Sequence, residues 1–519
     1  MRKIICLLTV CALLTACAGM SADPTQTTAA PSVIEGATNI TLSNSGITVD
    51  GKAASTDATA PVYTANDIVY YAAGKDFTYG EGTKADEHTA EEADAHTVVH
   101  ITKPGVYAIS GNLSAGQIAV DLGEEAKEDP AAVVTLVLNG MDITCTVAPA
   151  VIFYNVYECG STDEEKATME VDTSKAGANV VIADDSQNYV NGAYVAKIYK
   201  SVELNEEGTE VVDSKKLHKY DGAFYSKMSM NICGGEKGNG RLDITATNEG
   251  LDSELHLTLL GGNIYIRSGN DGINTNEDNI SVTAIRGGNL NITVTGQTGE
   301  GDGIDSNGWL VIDGGTVIAA ACATSGDAGI DADKGVYIRG GTVVASGNML
   351  DRFEAEQTSV LFSFNARQDG GQTFDLKQGE STVMTVSPEN AFQYLILSSP
   401  SLAEGVYRLY QNDSPLMGVA GGMQGGRPMG GQMPEGMTPP EGMERPEGME
   451  RPEGDQMPEM PEGEQPPEMP EMPEGMQPPA GGAGFPQGPG NGQFPTGEAS
   501  MDFSFTKGYN AFSIIGTAQ

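Results

Sequence analysis

Acidic residues recur beside glycine in Glu249-Gly250-Leu251-Asp252, Asp271-Gly272-Ile273-Asn274, Asp302-Gly303-Ile304-Asp305 and Asp327-Ala328-Gly329-Ile330-Asp331. Hard cations take oxygen donors, and calcium accepts roughly six to eight of them from carboxylates, amides and backbone carbonyls. Asp and Asn also favour turns, so turn formation alone is the competing explanation. If the corners stack, their carboxylates repel one another and their pKa values rise unless a cation neutralises them. The expected cofactor is therefore calcium, with Asp252, Asp271, Asn274, Asp302, Asp305, Asp327 and Asp331 as its ligands. The spacing is not that of a GGxGxD nonapeptide loop.

Trp309 is the only tryptophan. Leu310 and Ile312 must point inward, because Leu257/Leu259 and Val336/Ile338 are apolar at the matching positions, which turns Trp309 outward with Val311. A flat indole face suits the C–H face of a pyranose ring. Trp309, Tyr265, Arg286 and Arg339 are the expected carbohydrate-binding residues; the alternative for Trp309 is cover by the 160–222 insertion or by the C-terminal strand. A lyase would need a base beside a cation, and Arg267, Arg286, Arg339 and Lys334 are available without a distinctive motif. A hydrolase would need one positioned carboxylate pair, which cannot be picked out among so many acids. No catalytic residue is assigned.

The elements that position these residues repeat. Gly-Gly pairs begin at Gly234, Gly261, Gly287, Gly314 and Gly340, at steps of 27, 26, 27 and 26 residues, each preceded two residues earlier by Ile232, Leu259, Ile285, Ile312 or Ile338. Short strands and turns at this period form the coils of a β-solenoid, whose coils bury one continuous core only when stacked. Alternation directs Ile264/Ile266, Leu290/Ile292, Val317/Ala319 and Val343/Ala345 inward. The β-helix is expected over 33–412, with 160–222 as an insertion, and no sustained helical period appears beyond the N-terminus.

The ends differ. "MRKIICLLTVCALLTAC" is a secretory signal closing in a lipobox, with Cys17 as the lipidated residue and 18–32 as a flexible tether. Residues 415–500, rich in Pro, Glu, Gly and Met, cannot bury enough apolar surface to order themselves, and 501–519 reads as a strand that docks back. A net charge of −42 argues against nucleic acid, and an anionic polymer would be held most easily through a bridging cation. Cys145, Cys159, Cys233 and Cys322 show no metal-type spacing.

The lipobox, "GVYAISGNLSAGQIAV", "LVLNGMDIT", "GEGDGIDSNGWLVIDGGTV", "GDAGIDADKGVYIRGGTVVASG", "SSPSLAEGVYRLY" and the Met/Pro/Glu/Gly tail together resemble the bacterial carbohydrate-binding domain-containing β-helix proteins. The resemblance implies an all-β fold, a right-handed parallel β-helix similar to pectate lyases, with calcium between coils and binding of plant-type or acidic polysaccharide. It places Asp271, Asp302, Asp305 and Asp331 in the acidic corners. The expected protein is a membrane-anchored, extracytoplasmic lipoprotein at the bacterial cell surface that binds polysaccharide without catalysis. The alternatives are a pectate-type lyase using calcium with an Arg or Lys base, and a structural envelope protein.

Overall fold

Short β-branched runs closed by glycine form strands that are too brief to bury their apolar face alone. In the computed structural model, which describes residues 36–421 and 498–517, these strands join in parallel ladders. The lipobox with Cys17, the tether at 18–32 and most of the 415–500 segment lie outside the described residues. The fold is almost all β. The one α-helix among the described residues, Ala90–Asp94, is a single short turn closed by a Thr89/Glu92 capping box.

From Val134 to Ile338 the chain passes repeatedly through three walls. The first carries, among others, Met230–Gly234, His256–Leu259, Val282–Ile285, Trp309–Ile312 and Gly335–Ile338. The second carries Gln187–Gly192, Arg241–Ala246, Asn263–Ser268, Asn289–Val294, Thr316–Ala320 and Thr342–Gly347. The third carries Val151–Asn155, Gly222–Ser226, Glu249–Ser253 and Ile273–Thr275. The registers are parallel and in phase: Val180, Ile232, Leu259, Ile285, Ile312 and Ile338 form one column. All six are at most 1% exposed, so each contributes about 1.5–3 kcal/mol of apolar burial.

The Gly-Gly turns join the first wall to the second. Gly262, Gly288, Gly315 and Gly341 hold φ between +78° and +94°, in the left-handed region that a β-carbon penalises. A Cβ on Gly288 would also lie 2.6 Å from the Gly262 carbonyl oxygen. These turns therefore stack backbone to backbone with no room for side chains.

Three boundaries differ from the sequence reading. Residues 160–222 are not one insertion, because Ala178–Ile182 and Gln187–Gly192 are regular rungs of the first two walls. Ile182 and Ala183 stand in register with the Gly-Gly pair of the next coil, so the marker is missing, and this longer turn takes its left-handed residue at Asp185, φ +60°. What projects is the antiparallel hairpin Val195–Leu204/Val211–Tyr220 and a loop before Ala178. Nor do the parallel coils extend to residue 412. After Phe353–Ala355, strand Phe392–Ser398 pairs antiparallel to Thr342–Gly347 and to Ser359–Gln368. The exposed edge of a parallel ladder invites aggregation, and this antiparallel segment closes it with its own core, including the mutually packed rings of Phe364, Phe374 and Phe392. Finally, Ser414–Ala420 is a strand, so residues 415–420 belong to this ordered unit. It pairs with Tyr509–Thr517, which also lies parallel to Ser359–Gln368; the last strand docks on the closing segment.

Candidate metal and carbohydrate site

The third wall is built on acid–glycine corners. A Cβ on Gly250 would approach Ile266 Cγ2 to 2.3 Å, one on Gly272 would approach Ile292 Cγ2 to 2.2 Å, and one on Gly303 would meet the Gly329 carbonyl oxygen at 2.3 Å. Glycine thus lets the third wall lie directly against its neighbours. Backbone bonds carry the wall onward from Ile273–Thr275: Gly272 N–H donates to Asp302 O at 3.0 Å, Gly303 N–H to Ala328 O at 3.0 Å, and Asp331 N–H to Ile304 O at 2.8 Å. Leu251, Ile273, Ile304 and Ile330 fill the interior, and the acidic residues flank them.

Two carboxylate trios converge on this wall. Asp302, Asp305 and Asp331 each bring one oxygen within 4.8 Å of the other two, and all three are half-buried. Burial first, then the charges of Asp271 and Asp331, push Asp305 up to about 8. Burial likewise pushes Asp271 to about 7 and Asp302 well above the usual carboxylate range. Backbone N–H groups bind several of these acids: Asp271 Oδ1 accepts from Asp302 N–H at 2.6 Å, Asp327 Oδ2 from Gly301 N–H at 2.6 Å, and Asp302 Oδ1 from Ala328 N–H. They brace the turn between coils by accepting backbone N–H groups.

The second trio is Asp221, Glu249 and Asp252, fully buried and within the same 4.8 Å. Asn274, in register with Asp252, donates its Nδ2 to Glu249 Oε1 at 3.1 Å. Asn276 donates to Asp252 Oδ1 at 2.8 Å, and Lys219 Nζ lies 2.6 Å from Asp221 Oδ2. Burial and mutual repulsion hold the Glu249 and Asp252 carboxyls far above their ordinary range. Glu249 Oε2, Asp252 Oδ2 and Asn274 Oδ1 are buried with no hydrogen-bond partner. An all-oxygen donor set with orphaned buried oxygens fits a hard cation. Asp221 was missing from the expected ligands, although its Asp221-Gly222 pair repeats the acid–glycine marker. It stands at the end of the segment read as an insertion.

The expected carbohydrate residues do not share one face. Tyr265 lies on the second wall, where the Arg241 guanidinium covers its ring at 3.8 Å while pairing with Asp243. Trp309 begins a first-wall strand and is half-buried, packed against the cluster of Val282, Ala284 and Val311, on which Met169 and Val171 also pack. Arg286 donates to the Val171 carbonyl at 3.1 Å, and Arg339 pairs with Glu170 and with Asp313, the latter at 2.9 Å. Arg286 and Arg339 thus fasten the 164–172 loop across the outer face that carries Trp309.

The family model of carbohydrate-binding domain-containing proteins matches residues 95–385. A carbohydrate-binding domain-containing protein of Acetivibrio thermocellus is 30% identical over 188 residues, 35% of this chain and 51% of that protein. The chain therefore spans about half the length of that relative. The solved polysaccharide lyase-like protein from C. thermocellum, as a gadolinium derivative, is 20% identical with a TM-score of 0.33, covering 62% of this chain and 90% of the other, a likeness too low to carry an argument. The family model covers more than half of the 519 residues, and this chain belongs to the carbohydrate-binding domain-containing protein family.

Proposed function

We propose that this protein is a lipid-anchored surface protein that binds polysaccharide through a right-handed parallel β-helix, in a calcium-dependent way and without cleaving it. The observation that carries the reading is the convergence of Asp302, Asp305 and Asp331 on the third wall, where the acid–glycine corners stack. Calcium held there would supply open coordination positions for polymer oxygens, including uronate carboxylates. This is how a chain of net charge −42 can hold an anionic polymer. Asp302, Asp305 and Asp331 supply the ligand oxygens, with Asp271 and Asp327 holding the backbone of the corner in place. Cys17 carries the anchor in this reading, and Trp309 offers a ring face once its covering loop is displaced.

Binding is favoured over elimination by the ion pairs that engage the candidate arginines. A catalytic base must be free and unprotonated to accept the substrate proton. Arg267 pairs with Glu389, and Arg286 and Arg339 share Asp313. The bond to Glu170, against the smaller cost of burial, holds Arg339 above even the usual guanidinium range.

The test is a polysaccharide panel, neutral and acidic, with calcium or with chelator, while absorbance of unsaturated uronate product is followed. Calcium-dependent retention without product is expected. Product formation would establish the lyase, and retention of nothing under any condition would leave only a structural envelope role.

A further inference from the structure

We propose that the projecting hairpin joins two copies of this chain. Its edge strand Val211–Tyr220 pairs antiparallel with the same strand of a second copy, about a two-fold axis that passes between the two Ser214 residues. The pairing is independent of the polysaccharide and calcium readings.

The edge is open. Val211–Tyr220 pairs with Val195–Leu204 and with no other strand among the described residues, which leaves one side of a ten-residue strand unpaired. Such an edge offers a row of backbone donors and acceptors to another chain. It also carries apolar surface that the hairpin leaves uncovered, with Val212 61% exposed and Leu217 48% exposed. A two-stranded ribbon is marginal by itself, and a further strand adds ladder bonds and cross-strand contacts.

The charges select the partner. Glu210-Val211-Val212-Asp213-Ser214-Lys215-Lys216-Leu217-His218 is self-complementary about Ser214. With Ser214 facing the partner's Ser214, Asp213 stands opposite the partner's Lys215, Val212 opposite the partner's Lys216, Val211 opposite the partner's Leu217 and Glu210 opposite the partner's His218. Each pair occurs twice, as an isologous contact requires. A dyad falling between residues would set side chains of opposite faces against one another, so it must pass through a facing pair. One step away it would set Asp213 against the partner's Asp213, or Lys215 against the partner's Lys215. Like charges directly opposite are unfavourable, so one register remains. An edge of lysines alone would repel a second copy; this edge, acidic on one side of Ser214 and basic on the other, repels only out of register.

Within one copy these charges lack partners. Asp213 faces Glu203, and Lys215 faces Ser201. Lys216 and Lys219 are engaged by Glu254 and Asp221, whereas Asp213 and Lys215 have no ion pair among the described residues. The two side chains nearest the dyad are thus the ones that a second copy completes. The ladder is also regular there, from Ser201 on Lys215 to Glu203 on Asp213, with its register shifts on either side. One strand pair buries little area beside a standard interface, so the dimer is weak.

Sedimentation equilibrium of the full chain across the micromolar range tests this. Wild type should show a reversible monomer–dimer equilibrium that salt weakens. Asp213→Lys and Lys215→Asp should each weaken it at least about tenfold, because each sets like charges opposite one another. The double variant Asp213→Lys/Lys215→Asp should return to within about threefold of wild type, since the two positions face each other across the dyad. All three should melt as wild type does, because both side chains are exposed. Facing residues of an antiparallel pair have Cα atoms about 4.5–5.5 Å apart, within disulfide reach. Ser214→Cys oxidised with diamide should therefore give a covalent dimer, while Val212→Cys and the wild type, with its own Cys145, Cys159, Cys233 and Cys322, should not. A chain that stays monomeric throughout overturns the proposal. So does a dimer indifferent to both single swaps, or one that the double swap fails to restore.

Discussion

The two carboxylate trios occupy the same wall and are raised on the same acid–glycine corner, yet they differ in cover. Asp302, Asp305 and Asp331 stand half-buried near the end of the coils, with the neighbouring Asp271 and Asp327 accepting backbone N–H groups between turns. Asp221, Glu249 and Asp252 are fully buried, with a lysine at one side and unpaired oxygens within. The repeat therefore sets where carboxylates stack, while the segment lying outside decides how much solvent reaches them. The open trio has the access that a bridging ligand needs. The closed one has the access of a structural ion.

The largest effect should come from the glycine of the open corner. Gly303→Val would force a side chain into the Gly329 carbonyl at 2.3 Å and Ala319 Cβ at 2.9 Å. Backbone cannot yield as a flexible side chain does, so a loss of about 3–5 kcal/mol is expected, read as a fall in the denaturation midpoint. Gly326→Ala, with nothing within 4 Å, should change stability by less than about 0.5 kcal/mol. Equal effects at the two positions would mean that the third wall does not stack as described.

A smaller effect sharpens the contrast between open and closed acids. Burial raises Asp305 to about 8 and Asp271 to about 7, far above their values in an unfolded chain. Between about pH 4 and pH 8 the metal-free folded state then holds more protons than the unfolded state. Its stability must fall as pH rises through that window. In chelator the melting temperature should drop by about 5–10 °C from pH 5 to pH 8. Saturating calcium should flatten this slope, because the ion displaces the protons of the folded carboxylates into solvent. Asp305→Asn should reduce the slope in chelator. A flat chelator profile would show that neither acid is strongly perturbed.

Much of this was legible in the repeat. The Gly-Gly steps locate the interior column from Ile232 to Ile338, because a left-handed turn without room for Cβ leaves glycine little competition. One coil earlier Ile182-Ala183 stand where the pair would be, and there the repeat vanished from view. The closing segment was misread because alternation is the same in parallel and antiparallel strands, and partners distant in sequence decide which is formed. Val311 and Val344 point outward yet are 1% and 8% exposed. Their covers, the 164–172 loop for Val311 and the closing segment for Val344, come from elsewhere in the chain. Strand period alone carries no such information. Asp221 was hidden for the same reason as its coil.

The smallest expected effect concerns that cover. Trp309 shares a satellite cluster with Met169 and Val171, and the loop bearing them is held by Arg339–Glu170 and by Arg286 on the Val171 carbonyl. Partly exposed ion pairs contribute only about 0–1 kcal/mol each. Arg339→Ala combined with Arg286→Ala should therefore cost little stability, on the order of 1 kcal/mol, while loosening the loop. Trp309, the only tryptophan, reports directly. Its emission should shift to the red and become more quenchable in the double variant. If Trp309 is a sugar platform beneath a movable strap, the variant should also retain more polysaccharide, since displacement of the loop no longer opposes binding. A red shift with unchanged or weaker retention would make Trp309 a packing residue under a structural loop. Recognition would then rest on the acidic wall without an aromatic platform.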